Sequence, residues 1–559
     1  MSLVATSLRR LKTCLVNLGA LFLGAVLFAG AFPNVLFENG LPLLAWIAYV
    51  PVFWLIRRVH AAASFLWGAL YGYTAYTLFN FWLTAFHPVA GMVVGIVYLI
   101  YFALLFPLLK FVCLLYPRRG YILQWLCWIG FEYLRTRGFL GYAYGITGYS
   151  QWRSAPIIQI ADTFGVWGVS ALVVFPSVWL AAGLGESLRP RSLVRDTFAS
   201  RLGAFFSRER TSAVVWLAAL AGTLLYGFTA QIDYREAPVR RIALIQHNTD
   251  PWLGGITEYR TNFEVLKRLS DEALRKEPKP DLVVWSETAF VPRIYWHINY
   301  RGDPDSYMLV TDLMKYLSEK EVPFVIGNDD ARKEPEKNPR AAEEYRVDYN
   351  AVMLIEKGEI LQQYRKLHLV PFTEHFPYKK QFPRLYEELK NRKDIHLWER
   401  GKDAVVFEAR GIRFSSPICF EDTFGYLSRI FTQNGADLII NLSNDAWSKS
   451  LPAQMQHLAM AVFRSVENRR SMVRSTASGQ TCGIDPNGRI LAMAPPFVET
   501  HLTVAVPVVT LKTRYTVYGD FFPLVCIAAG CILLILGIIG AILRKPSGCK
   551  YANTAYRRV

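Results

Sequence analysis

Two textures alternate along the chain. Up to about residue 230 the sequence runs as apolar stretches broken by short polar segments, and one more apolar stretch lies near the end. A helix rising 1.5 Å per residue needs roughly 20 apolar residues to cross about 30 Å of hydrocarbon. The stretches 13–32, 41–56, 63–85, 89–113, 120–134, 157–184, 212–230 and 518–543 are therefore predicted to span a bilayer, the second and fifth being the shortest. The first is followed by further spans and has no small-residue cleavage site, so it reads as a span and not as a secretory signal.

Between the seventh and eighth spans the texture becomes that of a water-soluble fold. Short β-like runs fall at 241–246, 281–285, 323–327, 351–355, 414–419, 437–442 and 471–475. Mixed segments of helical length separate several of them, at 258–275, 305–319, 422–434 and 453–469. Alternating strand and helix predicts an α/β fold with covered sheets, which places reactive groups at strand ends. Asn487-Gly488 reads as a hairpin turn. The organisation predicted is a membrane domain of seven transmembrane helices at 1–231, an α/β domain at 232–515, and an eighth helix with a basic tail at 516–559.

Composition agrees with that division. The chain has 559 residues, 52% hydrophobic and 19% charged, with a mean hydropathy of +0.19. Its net charge of +17 raises the question of nucleic acid, yet the basic residues gather beside apolar segments and not on a recognition helix. They read as topology. Arg9, Arg10 and Lys12 precede the first span, Arg57 and Arg58 follow the second, Lys110, Arg118 and Arg119 follow the fourth, and six arginines lie from Arg189 to Arg210. Lys and Arg mark the cytoplasmic side of short loops. With Arg544, Lys545, Lys550, Arg557 and Arg558 after the last span, both termini are expected in the cytoplasm and the α/β domain outside it. Arg135 and Arg137 are the exception.

The candidate chemistry sits at three predicted strand ends. Glu287 closes LVVWSET, Lys366 stands in YRKLHLVPF, and Cys419 ends FSSPIC; Cys419 and Cys482 are the two of eight cysteines that fall in the polar domain. Taken singly, a cysteine there is a core residue and each charged group a solvated one. Together an acid, an amine and a thiol form a nucleophilic set: the carboxylate takes the thiol proton and the ammonium stabilises thiolate and oxyanion. No nucleotide loop, metal-ligand spacing or disulfide framework appears, so no cofactor is expected.

The segments WSET, YRKLHLVPFTEHFP, PICFED and NLSNDAW resemble the signature blocks of the apolipoprotein N-acyltransferases, the membrane-bound branch of the carbon-nitrogen hydrolase (nitrilase) superfamily. Order, spacing and the eight-span plan match over nearly the whole chain. The resemblance implies a four-layer α/β sandwich inserted in a membrane bundle, with Glu287 as general base, Lys366 as catalytic lysine and Cys419 as acylated nucleophile. Glu374 and Glu421 match supporting acids, and Asn444, Asp445 and Trp447 match a segment that touches substrate or lid, or else merely caps and packs. Arg464, Glu467 and Arg474 fall where the family has polar supports. Glu132, Arg135, 148–151, Gln159, Gly165 and Gly168 resemble membrane-face segments. Departures are Ser448-Lys449-Ser450, Thr373 before Glu374, Phe420 after the nucleophile, and Tyr142-Ala143-Tyr144 in place of a proline-tryptophan pair.

What the resemblance implies in function is transfer of an acyl chain from a phospholipid, through a thioester, to the α-amine of a diacylglyceryl-modified N-terminal cysteine of an apolipoprotein. The enzyme would be a monomer in the inner membrane with its catalytic domain facing the periplasm, and would use no nucleic acid. A membrane-tethered amidase or nitrilase acting on a small C–N substrate would employ the same three residues but needs no eight spans. A silent lipoprotein-binding scaffold would not need the three together, and a transporter would show inverted repeats that are not apparent here.

Overall fold

A computed structural model describes residues 2–86, 88–188, 197–250, 253–334, 346–376, 378–379, 381–390 and 397–543. Arg189, Arg191, Arg195 and the basic tail from Arg544 onward lie outside them. The chain is a multi-pass membrane protein into which an α/β domain is inserted. Five described helices are long and apolar enough to cross a membrane: Thr6–Ala31, Val89–Leu115, Ala161–Ser187, Arg210–Thr229 and Phe521–Leu543. The other three expected spans differ in form. The stretch at 41–56 is broken into Pro42–Ala45 and Val50–Arg58, because Pro51 has no N–H with which to continue a helix across the intervening turn. Gly120–Leu134 has 15 residues, about 22 Å of helix. The helix Ala61–Phe79 has 19 residues and packs tightly on Val89–Leu115. At Gly68 and Gly72 an added Cβ would stand 2.2 Å from the carbonyl oxygens of Phe102 and Tyr98, so these two glycines let the backbones approach. The sixth stretch, expected to begin at 157, instead forms a short turn and restarts at Ala161, with Gly165 at φ 63 kinking the helix.

Twelve strands build the inserted domain: β1 (Val239–Gln246), β2 (Leu282–Trp285), β3 (Phe324–Lys333), β4 (Arg346–Glu356), β5 (Glu359–Arg365), β6 (Val406–Ala409), β7 (Ile412–Ser415), β8 (Leu438–Ser443), β9 (Ser471–Thr476), β10 (Cys482–Ile484), β11 (Ile490–Met493) and β12 (Thr500–Pro507). They form two six-stranded sheets, ordered β12-β1-β2-β3-β4-β5 and β6-β7-β8-β9-β10-β11. Both repeat one plan: an antiparallel pair, two parallel pairs, then two antiparallel pairs. Side chains alternate across each strand. In β1 and β2, Ala243, Ile245, Val283 and Trp285 pack under the helices Ile256–Arg275 and Pro304–Ser318, whereas Ile242, Leu244, Leu282 and Val284 face the other sheet. Strands buried on both faces read as continuous apolar runs, which is why β1, β2 and β8 were visible in the sequence. Ser475 Oγ donates across the sandwich to Val284 O at 3.1 Å.

The second sheet is covered by Leu451–Asn468, whose residues from Ala453 onward are all buried. One side of this helix meets the sheet and the other meets the bundle. Gln456 Nε2 donates to Pro33 O at 2.9 Å and its Oε1 accepts from Trp82 Nε1 at 3.0 Å. Glu467 Oε1 accepts the Val166 N–H at the bundle kink at 3.1 Å, and Arg464 reaches Tyr149 at 3.1 Å. Just past the helix, Arg469 grips Asp162 at 2.6 Å and Gln159 at 2.6 Å. Breaking a buried charge pair of this kind is strongly destabilising, and this one joins the domain to the bundle.

Candidate active site

Carboxyl ends of the parallel strands β2, β7 and β8 converge on one region, as α/β sheets arrange their reactive groups. Glu287 stands two residues after β2, and Lys366 directly after β5, where its N–H continues the ladder to Asn350 O at 2.8 Å. Cys419 is not at a strand end as expected. β7 stops at Ser415, and the thiol opens a 3₁₀ turn, Cys419–Thr423, after Ile418 bridges to Leu442. Cys419 has φ 48, a left-handed conformation that costs a non-glycine residue energy and that proteins keep where a side chain must be presented.

Lys366 is 0% exposed, and Glu287 is 6% exposed. Lys366 Nζ donates to Glu374 Oε1 at 2.8 Å and to Glu287 Oε1 at 3.3 Å. Burial alone would lower the ammonium's pKa, but the Glu287 and Glu374 carboxylates outweigh it and hold Lys366 well above the usual lysine range. Glu287 is fixed at both oxygens: Oε1 also accepts Asn350 Nδ2 at 2.8 Å, and Oε2 accepts the Asn444 N–H at 3.0 Å. Burial, then the charge of Glu287, push the Cys419 thiol well above the usual thiol range against the pull of Lys366. Burial and Glu287 thus favour the neutral thiol at Cys419, and for it to act as a nucleophile its proton would have to leave in step with attack.

The supporting acids divide the work. Glu374 takes the Val370 N–H at 2.9 Å on its second oxygen, and burial raises its pKa against Lys366. Glu421, wholly buried, accepts from the N–H groups of Leu367 at 2.7 Å, His368 at 2.9 Å and Ile418 at 2.8 Å, and from the Tyr364 hydroxyl. It thereby staples the backbone after Lys366 to the backbone before Cys419. Burial lifts it to about 7 against those bonds.

Of the remaining candidates, Asn444 acts through its backbone, and its side chain caps the Ala446 N–H at 3.2 Å. Asp445 is buried among His457, Arg474 and Ser443. Trp447 lies with its ring 5.7 Å from Trp82, which is 5.5 Å from Tyr144, so aromatic rings of the bundle and of the domain meet beside the site. Asn350, Asp422, His457 and Tyr364 were not singled out from the sequence. Asp422, three residues after the cysteine, was the readable signal; the others are polar residues inside a strand or an entirely buried helix.

A buried acid, amine and thiol gathered on a two-sheet α/β sandwich keyed into a membrane bundle point to a membrane-embedded enzyme of the carbon-nitrogen hydrolase class. Residues 241–515 match the carbon-nitrogen hydrolase family, and residues 24–179 match the apolipoprotein N-acyltransferase N-terminal domain. Apolipoprotein N-acyltransferase 1 of Treponema denticola is 46% identical over 542 residues, 95% of this chain and 97% of that protein. The Treponema pallidum protein of the same description is 46% identical over 94% of this chain and 97% of its own length. Apolipoprotein N-acyltransferase 2 of Treponema denticola is 30% identical over 90% and 94%. This chain belongs to the apolipoprotein N-acyltransferase family.

Proposed function

We infer that the protein is an N-acyltransferase that moves an acyl chain from a membrane phospholipid to the N-terminus of a lipoprotein, with Cys419 carrying the chain between them. The observation that carries this reading is the buried Lys366 ammonium held by Glu287 and Glu374 beside Cys419, in a domain joined to lipid-spanning helices.

Glu287 takes the thiol proton as sulfur attacks the ester carbonyl, and Lys366 meets the charge on the tetrahedral oxygen. The C–O bond breaks, and the lysophospholipid leaves with the proton from Glu287. Glu287 then takes a proton from the incoming α-amine as nitrogen attacks the thioester. The C–S bond breaks, giving an amide and the thiol. Asn350, Asn444 and Lys366 hold the carboxylate in place for both transfers. Trp82, Tyr144 and Trp447 give the acyl chain an apolar approach from the bundle. A peptide bearing a diacylglyceryl cysteine with a free α-amine should accept label from the acylated enzyme, and the same peptide with a blocked amine should not. Turnover of a soluble amide with no transfer from phospholipid would establish an amidase instead.

The topology proposed is eight spans, with the division 1–231, 232–515 and 516–559, in the inner membrane of a bacterium, the domain facing the periplasm and both termini the cytoplasm. It is supported by the five long apolar helices and by the basic residues on alternate loops. A reporter fused after residue 230 should behave as extracytoplasmic and one fused at residue 200 as cytoplasmic. Both on one side would overturn the count of seven spans before the domain.

A further inference from the structure

Behind the nucleophile lies a buried cluster that the mechanism above does not use. His457 comes from the helix Leu451–Asn468, Asp422 from the nucleophile's turn, Asp445 from the loop after β8, and Arg474 from β9; none is more than 3% exposed. Asp422 Oδ1 faces His457 Nε2 at 2.7 Å, and Asp445 Oδ1 faces His457 Nδ1 at 3.0 Å. Arg474 pairs with the second oxygen of each, at 3.5 Å for Asp445. Both ring nitrogens thus meet carboxylates, which only the doubly protonated ring can satisfy. Two cations and two anions then close a neutral unit in the core, where an unbalanced charge would be costly.

The cluster reaches the reacting groups along two short paths. Asp422 is three residues from Cys419 in a single 3₁₀ turn. Asp445 adjoins Asn444, whose N–H holds Glu287 Oε2 at 3.0 Å, and it accepts at 3.1 Å from Ser443 Oγ, a hydroxyl that also reaches the Cys419 thiol. We propose that His457 is a positioning residue: a doubly donating imidazolium that keys the turn carrying the nucleophile to the loop orienting the general base. The inference rests on the thioester reading and adds to it the group that sets the alignment.

Titration follows from the geometry. Burial works against the imidazolium, but Asp422 and Asp445 outweigh burial and the opposing Arg474 and raise His457 to about 9. The other groups facing the cluster are Cys419, Tyr144 of the bundle, whose ring is 6.4 Å from that of His457, and Cys482 of β10 beside Arg474. Because the folded value lies above the ordinary one of about 6.5, the stabilisation is whole below that pH and is lost as pH rises through about 9. Loss of the proton leaves one donor for two carboxylates. The Nδ1 then turns acceptor toward Arg474 Nη2, now 3.3 Å away, and the link to Asp445 opens.

The test is single-turnover acylation of Cys419 in the purified full chain, in lipid nanodiscs containing phospholipid with a labelled acyl chain, followed from about pH 6 to about pH 10.5. The wild-type rate should fall by about tenfold or more above pH about 9, as a displaced nucleophile and base would require. Asp422→Asn removes one of the two carboxylates and should move that fall to lower pH by about one unit or more. His457→Gln should be slower at every pH, chiefly in kcat and not in KM for phospholipid, and should lack the alkaline fall. A wild-type rate that rises throughout, as ionisation of the thiol alone would give, overturns the proposal; so does a fall at the same pH in the variants. Should His457→Gln fail to insert, the wild type and Asp422→Asn still decide. Failure of wild-type Cys419 to take any label near neutral pH would instead sink the thioester reading.

Discussion

Cys419→Ala should take up no label from a phospholipid carrying a labelled ester-linked chain, whereas the unaltered protein, given no acceptor, should hold the label on Cys419 until hydroxylamine releases it. The expected loss is about 10⁴-fold or more, the scale on which removal of a covalent nucleophile is felt. Cys482→Ala serves as the control. That thiol is fully buried, is pushed up to about 12 by burial and then by Asp422 against Arg474, and among the described residues has no lysine acting on it, so labelling should persist without it. The raised pKa of Cys419 adds a second readout. A neutral thiol alkylates slowly, and a soluble alkylating reagent should therefore modify Cys419 sluggishly at pH near 7 in an enzyme that reacts readily with lipid. Labelling that survives Cys419→Ala would reject this assignment.

The second large effect belongs to Lys366. Replacing it by methionine removes the charge proposed to meet the oxyanion, and acyl-enzyme formation should slow by about a hundredfold to a thousandfold. It also leaves Glu287 and Glu374, which the ammonium now bridges, as two carboxylates in a site where Lys366 itself is 0% exposed. Breaking such a buried pair costs about 3–5 kcal/mol, so Lys366→Met should lower the melting temperature as well. Adding Glu374→Gln separates the two consequences. The double variant should regain much of the lost stability, because the surplus negative charge is gone, and should stay slow. Near-normal acylation in the stable double variant would show that the lysine serves only to balance its neighbours.

How much of this was legible depended on what each residue packs against. Glu287 could be read because β2, buried on both faces, announces itself as an apolar run with a polar residue just beyond it. Lys366 follows the half-exposed β5 and Cys419 opens a turn, so these two stood out through the family's sequence blocks and not through burial. The short strand β6 carries four residues, too few to show an alternation, and was not anticipated. β10 and β11, of three and four residues, were legible only through the Asn487-Gly488 turn that joins them as an antiparallel pair. His457 and Gln456 were hidden for a different reason. They lie on a helix buried on every side, where polar positions face the bundle or the cluster and not water, so the usual contrast between a wet and a dry face is missing. In the bundle, hydropathy located the apolar stretches but not their breaks. Pro51 and the left-handed Gly165 decide where helices stop and kink, and neither lowers the apolar content that marks a span.

The lock between Arg469 and Asp162, with Gln456 and Glu467 beside it, turns the depth of the reaction into a constant of the architecture. An enzyme swinging on a tether would sample many heights above the leaflet and would have to find its ester at each encounter. With the domain locked to the bundle in this way, the thiol of the proposed reaction would stay at one level relative to the lipid, like a blade set in a plane. Carbonyls arriving by lateral diffusion are then presented or passed over according to how far they lie below the headgroup plane. On the proposed function, exchange of a spent lipid for an incoming lipoprotein would then fall to two-dimensional traffic in the leaflet and not to a swing of the domain.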